Sequence, residues 1–132
     1  MSNGTYARAQ RSLGWYYFNS KDFEKSVESF TKATQASYYH PGTWYTLGCA
    51  CMHLKQFEKA LKAFSECISI DDTQGEAWGN MASCYMFNKK WNEAYSTLIQ
   101  AVKFSQGNWK LWANLLSVSL TLKKFYKYLE CI

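Results

Sequence analysis

The chain has 132 residues, 48% apolar and 18% aromatic, with a single proline and seven glycines. That supplies a substantial core and too little Gly and Pro for long linkers, which excludes a disordered or low-complexity chain. The net charge is +5, from 15 Lys and Arg against 10 Asp and Glu, and no apolar run approaches the roughly 18 residues that a bilayer span needs.

In chain order, a first amphipathic helix carries Gln10, Leu13, Gly14 and Tyr17, large and small residues three and four apart on one face. The polar stretch "NSKD" follows, and a second helix opens at Phe23 with Ser26 and Phe30 on its apolar face. Pro41 then starts a third helix, where the first turn tolerates it. This helix bears Trp44, Leu47, Gly48 and Cys51, and after "HLKQ" a fourth carries Phe57, Ala60 and Phe64. Trp78, Met81, Ala82 and Tyr85 make the next face, and "NKK" leads to Trp91, Ala94 and Leu98. Trp112, Leu115, Leu116 and Ser119 make the last complete face, and "LKK" leads to Phe125, Tyr128 and Ile132.

The elements repeat. "FEKSVESF" at 23–30 returns as "FEKALKAF" at 57–64, and 57 − 23 = 34. The same step links Leu13, Leu47, Met81 and Leu115. Each block reads as two helices joined by a turn too short for anything but an antiparallel hairpin. Small residues let two helices approach closely, so Gly48 is expected to face Ala60, with the tryptophans filling the wedge between successive hairpins. One hairpin cannot bury these faces alone, whereas stacking three or more gives a continuous core.

The pattern W-x-x-L-G-x-x-Y followed by A-x-x-x-F resembles the tetratricopeptide repeat. "WYTLGCAC…ALKAF" and "WGNMASCY…AYSTL" carry it best, and "QRSLGWYY…SVESF" carries it with Gln10 and Ser26 as departures. The resemblance implies an all-α fold, a right-handed superhelical solenoid of antiparallel helix hairpins. One domain over 1–132 is expected, with repeats at about 7–40, 41–74, 75–108 and 109–132. The fourth block departs, with Leu116 and Tyr128 in small-residue slots, and reads as the cut end of a longer protein or as a diverged cap. The text around "RSLGWYY" and "NWKLWANLL" also resembles the repeat region of the tetratricopeptide repeat protein 27 family. That likeness implies an intracellular adaptor acting with chaperone machinery in assembling spliceosomal particles.

The leading helix of each hairpin would line a concave wall. Beside the core stripe, that face carries Arg11 and Trp15, then Tyr45, Cys49 and Met52. Further on it carries Asn80, Ser83, Met86 and Phe87, and finally Lys110, Asn114 and Ser117. Amides that pair with main chain and aromatic or Met pockets suit an extended peptide or partner helix. Packing against a neighbouring segment of the same chain is the other reading of this face. Some members of the family hold acidic Hsp70 or Hsp90 C-termini in a carboxylate clamp. The corresponding slots here hold Arg11, Trp15, Thr46, Glu76 and Asn80, or, one repeat on, Tyr45, Cys49, Asn80, Lys110 and Asn114. Three of five groups are missing in the better register, so no clamp is expected.

Other chemistry is sparse. Cys49 and His53 share a helix face, but zinc needs three or four ligands and no second close pair accompanies them, so no metal or other cofactor is expected. No phosphate loop and no nucleophile beside a base stand out, and no enzyme is expected. The alternative function is single-stranded nucleic-acid binding through lysines and aromatics. Five cysteines, an odd number set in helical patterning, read as buried thiols of a reducing compartment, cytoplasmic or nuclear.

Overall fold

The computed structural model describes the backbone of residues 3–130 and the side chains of residues 4–123. Among these residues there are seven helices and no strand. They are α1 (Asn3–Asn19), α2 (Phe23–Ala36), α3 (Pro41–His53), α4 (Phe57–Ile70), α5 (Gly75–Phe87), α6 (Trp91–Phe104) and α7 (Trp109–Glu130). Contacts gather in two compact units, Met1–Asp72 and Thr73–Ile132.

In the first unit α1 pairs with α2, α3 pairs with α4, and α2 also packs on α3. The turns inside the hairpins share one closure. Lys21 and Lys55 take left-handed backbone, with φ of 63° and 59°. Around Lys55, its own N–H donates to Met52 O at 2.9 Å and the N–H of Gln56 donates to Cys51 O at 2.9 Å. This pair of bonds satisfies carbonyls that the end of α3 would otherwise leave unpaired. Asp22 then caps α2 by accepting from the Lys25 N–H at 3.3 Å. His40 caps α3, its Nδ1 accepting from the Thr43 N–H at 3.3 Å, and Pro41 takes the first helical position.

The αL turns yield a direct expectation. Left-handed backbone costs an ordinary residue roughly 1–2 kcal/mol, and glycine gives back roughly 0.5–1 kcal/mol of that in chain entropy. Lys55→Gly is therefore expected to stabilise the first unit by about 0.5 kcal/mol in urea denaturation. A loss of stability would show that the Lys55 side chain contributes more than its backbone conformation costs.

Phe30 and Phe64 are fully buried at the centre of this unit. A methyl group on Gly48 would stand 2.6 Å from a Phe64 ring carbon, and one on Gly14 would stand 2.7 Å from Phe30. The glycines therefore make room chiefly for these two rings. The other small residue of the hairpin lies alongside as well, since Ser26, in the slot of Ala60, donates to Gly14 O at 2.9 Å. Leu47 is buried, but its counterpart Leu13 is 43% exposed. The difference follows from packing: α3 lies against both α2 and α4, whereas α1 packs chiefly on α2 and meets α3 more sparsely, with Phe18 against His53.

The tryptophans fill their wedges unequally, Trp78 packing on the core of the second unit while others stand partly open. Trp44 is half-buried and donates its indole N–H to Tyr38 O at 2.8 Å, tying α3 to the connection before it. In the second unit Trp112 is 48% exposed and makes the same tie six residues back, to Gln106 O at 2.9 Å. An indole with a polar N–H gains by standing at a helix edge where a carbonyl can meet it.

In the second unit α5 pairs with α6, and α7 packs on α6. Ala82, Ala94, Leu98, Ala101, Val102, Leu111 and Val118 form its core, with Trp78, Tyr85 and Leu115 against it. Lys89 repeats the αL closure at φ 59°. The fourth hairpin expected from the sequence does not form, because α7 runs unbroken through the "LKK" segment. Its physical cause lies in the small-residue slots. Leu116 replaces the Gly or Ala against which a second helix would dock, and it is 62% exposed. With no close approach to reward a turn, "TLKK" simply continues the helix, because Leu and Lys are good helix formers. The side chains of Phe125 and Tyr128 lie outside the described residues, as do Cys131 and Ile132 altogether.

Candidate functional site

In the first unit, α1 and α3 are held side by side on the shared rings of the core, and a cavity of about 440 Å³ opens between them. Arg8, Arg11 and Trp15 line it from α1, Tyr45 from α3, Phe30 from beneath and His40 at the edge. Trp15 meets Phe30 edge-on at 5.9 Å and Phe18 at 5.7 Å, which holds its ring, yet the residue is 48% exposed. Tyr45 tilts against Phe64 at 5.9 Å. Arg8 and Arg11 form no salt bridge among the described residues, so an apolar floor faces two available guanidinium groups. Such a cavity suits a segment with a large apolar side chain and a carboxylate beside it.

In the second unit, Ser83, Met86 and Phe87 of α5, Trp91 of α6 and Asn114 of α7 surround a cavity of about 270 Å³. Phe87 is 67% exposed. Met and aromatic walls with one amide and one hydroxyl can adapt to an apolar side chain while pairing with main chain.

Of the residues singled out in the sequence, Arg11, Trp15 and Tyr45 thus come together, as do Ser83, Met86, Phe87 and Asn114. Cys49, Met52 and Asn80 are half-buried along α3 and α5, and Lys110 and Ser117 are exposed on α7, outside both cavities. Thr46, which also borders the first cavity, is buried, with its hydroxyl donated to Gly42 O at 2.7 Å. His53 is committed to packing, stacked on Phe23 at 4.3 Å. Sequence reasoning missed His40 and Trp91 at the cavity edges. For His40, the readable signal was a side chain able to cap, followed by Pro at the first helical position.

Two thiols are held neutral. Burial pushes Cys67 up from 9.0 to about 11, with Asp71 adding to the effect, and burial also raises Cys51. For Cys67 the folded value lies above the unfolded one, so its contribution to stability is present below about pH 8.5 and is lost as pH rises toward 11; Cys51 acts in the same direction. Among the described residues no three His, Cys, Asp or Glu gather as a metal site, and no helix is long and apolar enough to cross a membrane.

Paired antiparallel helices closed by the same turn at one fixed interval define a helical-repeat protein of the kind that presents surfaces to other proteins. Residues 7–40 and 41–74 each match a family model described as the tetratricopeptide repeat, together just over half of the chain, and the chain belongs to that family. Among curated proteins it is similar to the tetratricopeptide repeat protein 27 homolog of Dictyostelium discoideum, 35% identical over 54 residues. It is also similar to a TPR repeat-containing protein of Schizosaccharomyces pombe, 37% identical over 49 residues. These stretches are 41% and 37% of this chain and 6% of each relative, so the match spans a small part of the relatives' length.

Among solved structures, the first TPR of Spaghetti (RPAP3), bound to the HSP90 peptide SRMEEVD, superposes with a TM-score of 0.85 at 18% identity. That match covers 90% of this chain and 94% of the other. The Arabidopsis OM64 TPR domain gives a TM-score of 0.86 at 15% identity over 91% and 99%. The second TPR domain of human RPAP3, in complex with the HSP70 peptide SGPTIEEVD, gives 0.84 at 19% over 89% and 98%. The fold is the all-α tetratricopeptide solenoid, a family of interaction modules rather than enzymes.

Proposed function

We propose that the chain is a protein-interaction scaffold whose leading helices hold a peptide or helix of a partner. The observation that carries this reading is the α1–α3 cavity, where Trp15 is held by ring contacts yet remains open beside Arg8 and Arg11. In the second unit the Met86, Phe87 and Asn114 cavity supports the same kind of contact. The resemblance to the tetratricopeptide repeat protein 27 family favours an adaptor of chaperone-assisted spliceosomal particle assembly within a longer intracellular protein. Nucleic-acid binding gains no support from the comparisons, in which the similar structures carry bound peptides of other proteins.

The test is a nuclease-treated, salt-titrated pull-down from lysate with wild type and an Arg11→Glu, Trp15→Ala variant shown by circular dichroism to be folded. Proteins retained by wild type and lost by the variant are expected, and splicing-assembly factors among them would support the adaptor role. Identical lists from both would contradict the assignment of this cavity.

Two of the RPAP3 neighbours are in complex with an HSP90 and an HSP70 peptide, and for this chain we infer that such peptides do not bind. A clamp read from the first repeat keeps only Arg11 of its five groups, and one read from the second keeps only Asn80 and Lys110, with Tyr45, Cys49 and Asn114 at the other slots. At about 1.5 kcal/mol or more for each charge-assisted bond, three losses weaken binding by about three orders of magnitude. Titrating SRMEEVD into the chain is expected to show no saturation in the micromolar range, and saturation there would contradict the inference.

A further inference from the structure

The first unit has another cavity, of about 360 Å³, on a different side of α3. Trp44, Leu47 and Cys51 line it at positions i, i+3 and i+7, one stripe of the helix. Tyr45 and Thr46 of the α1–α3 cavity lie roughly 100° and 200° around the helix from Trp44, at about 100° per residue. The two cavities therefore open on opposed sides of α3. The flanks of the second are α2, from Val27 to Gln35, and α4, from Lys59 to Ala63. Eight residue steps along α2 make a trough about 12 Å long. That is the span of three or four extended residues.

The trough is apolar within and basic at its margin. Val27, Trp44, Leu47 and Ala63 supply the apolar lining, while Thr31 and Thr34 donate their hydroxyls to carbonyls of their own helix. Lys59 and Lys62, three apart on α4, stand on one helix face. Neither forms a salt bridge among the described residues. No carboxylate lines the trough; Glu58 and Glu66 stand one turn to either side of Lys62 on α4, Glu66 accepting from the Tyr38 hydroxyl, and Glu28 pairs with Lys32 at 3.3 Å. Lys59 and Lys62 are the charged residues of the lining, and two ammonium groups over an apolar trough are complementary to carboxylates flanking a hydrophobic side chain.

We propose that this trough is a second docking site, for a short acidic segment of a partner protein. One large apolar side chain enters between α2 and α4, and acidic residues on either side meet Lys59 and Lys62. The trough's length and its two flanking helices match a run of several residues, and its position leaves the α1–α3 cavity open at the same time. The site stands independently of the function proposed for that cavity.

The test uses the full chain labelled with nitrogen-15. The probes are acetyl-Glu-Glu-X-Glu-Glu-amide peptides with X as Phe, Leu or Trp, together with their glutamine counterparts. The Trp44 indole N–H, fixed on Tyr38 O, is the reporter, with the Ala63 amide beside it. At least one acidic probe is expected to give saturable shifts at both below about 1 mM. Affinity is expected to fall about tenfold in a Lys59→Glu, Lys62→Glu variant and by a similar factor with the glutamine peptide. Both lysines are exposed, and unchanged signals elsewhere will show that the variant is folded. Absence of saturable shifts for all three acidic probes would overturn the proposal. So would shifts confined to Arg11 and Tyr45, or equal affinity for acidic and glutamine peptides. Sodium octanoate binding as tightly at the same signals would also overturn it, because the trough would then take any apolar carboxylate.

Discussion

Phe64→Ala is expected to lower the stability of the first unit by about 3–5 kcal/mol, the range for truncating a fully buried aromatic ring. Phe64 has no exposed surface, and its ring fills the room that Gly48 leaves on α3. Neither helix can close the void by simple approach, because Ala60 and Ala63 are already buried in the same hairpin. Repeat proteins lose cooperativity when one repeat weakens, so the loss should appear first in amide exchange of α3 and α4. Gly48→Ala on its own drives a methyl against the ring, whereas in the Phe64→Ala background it enters free space. The double variant should therefore be more stable than the sum of the single effects. A Phe64→Ala loss below 1 kcal/mol, or strict additivity with Gly48→Ala, would contradict the packing described.

Trp15→Ala carries the largest expected effect on binding. An aromatic residue held by its neighbours and open to a cavity contributes contact area at little further entropy cost, and such residues contribute about 2 kcal/mol or more to an interface. With a peptide from a retained partner, Kd should rise about thirtyfold in Trp15→Ala by calorimetry. Stability should fall by about 1–2 kcal/mol through the lost edge-on contacts with Phe30 and Phe18, so binding is compared where circular dichroism shows the variant folded. A Trp15→Ala variant that binds as wild type would remove α1 from the interface.

Much of the fold was legible because a packing requirement repeats at one interval. Gly14 and Gly48 accept rings, Ser26, Ala60 and Ala94 occupy the facing small slots, and Lys21, Lys55 and Lys89 each turn the chain in the same conformation. Periodicity was a poorer guide where the outcome depends on what lies on the other side of a helix. Leu13 and Leu47 are the same letter in the same slot, yet only Leu47 is covered. Lys123 likewise has the turn residue's identity, but α7 passes through it because Leu116 leaves nothing for a returning helix to pack against.

The candidate site was legible as a helix face and not as cavities. Arg11, Trp15 and Tyr45 could be placed on leading helices from their spacing, but Phe30 below them and His40 at the edge come from other elements. The trough between α2 and α4 gave no sequence signal beyond two lysines three apart, because such a pair on an exposed helix is ordinarily just solvated.

The central claim, that the leading-helix side of the first unit receives a partner, is tested most directly by site-specific photo-cross-linking. p-Benzoylphenylalanine is placed at Ser12, an exposed residue lining the α1–α3 cavity, or at Tyr95, exposed on α6. Nuclease-treated lysate is then irradiated with each protein. Discrete protein adducts from Ser12 that are absent from Tyr95 and suppressed by Trp15→Ala are the predicted result. No adducts at Ser12, or the same adducts from both positions, would contradict it.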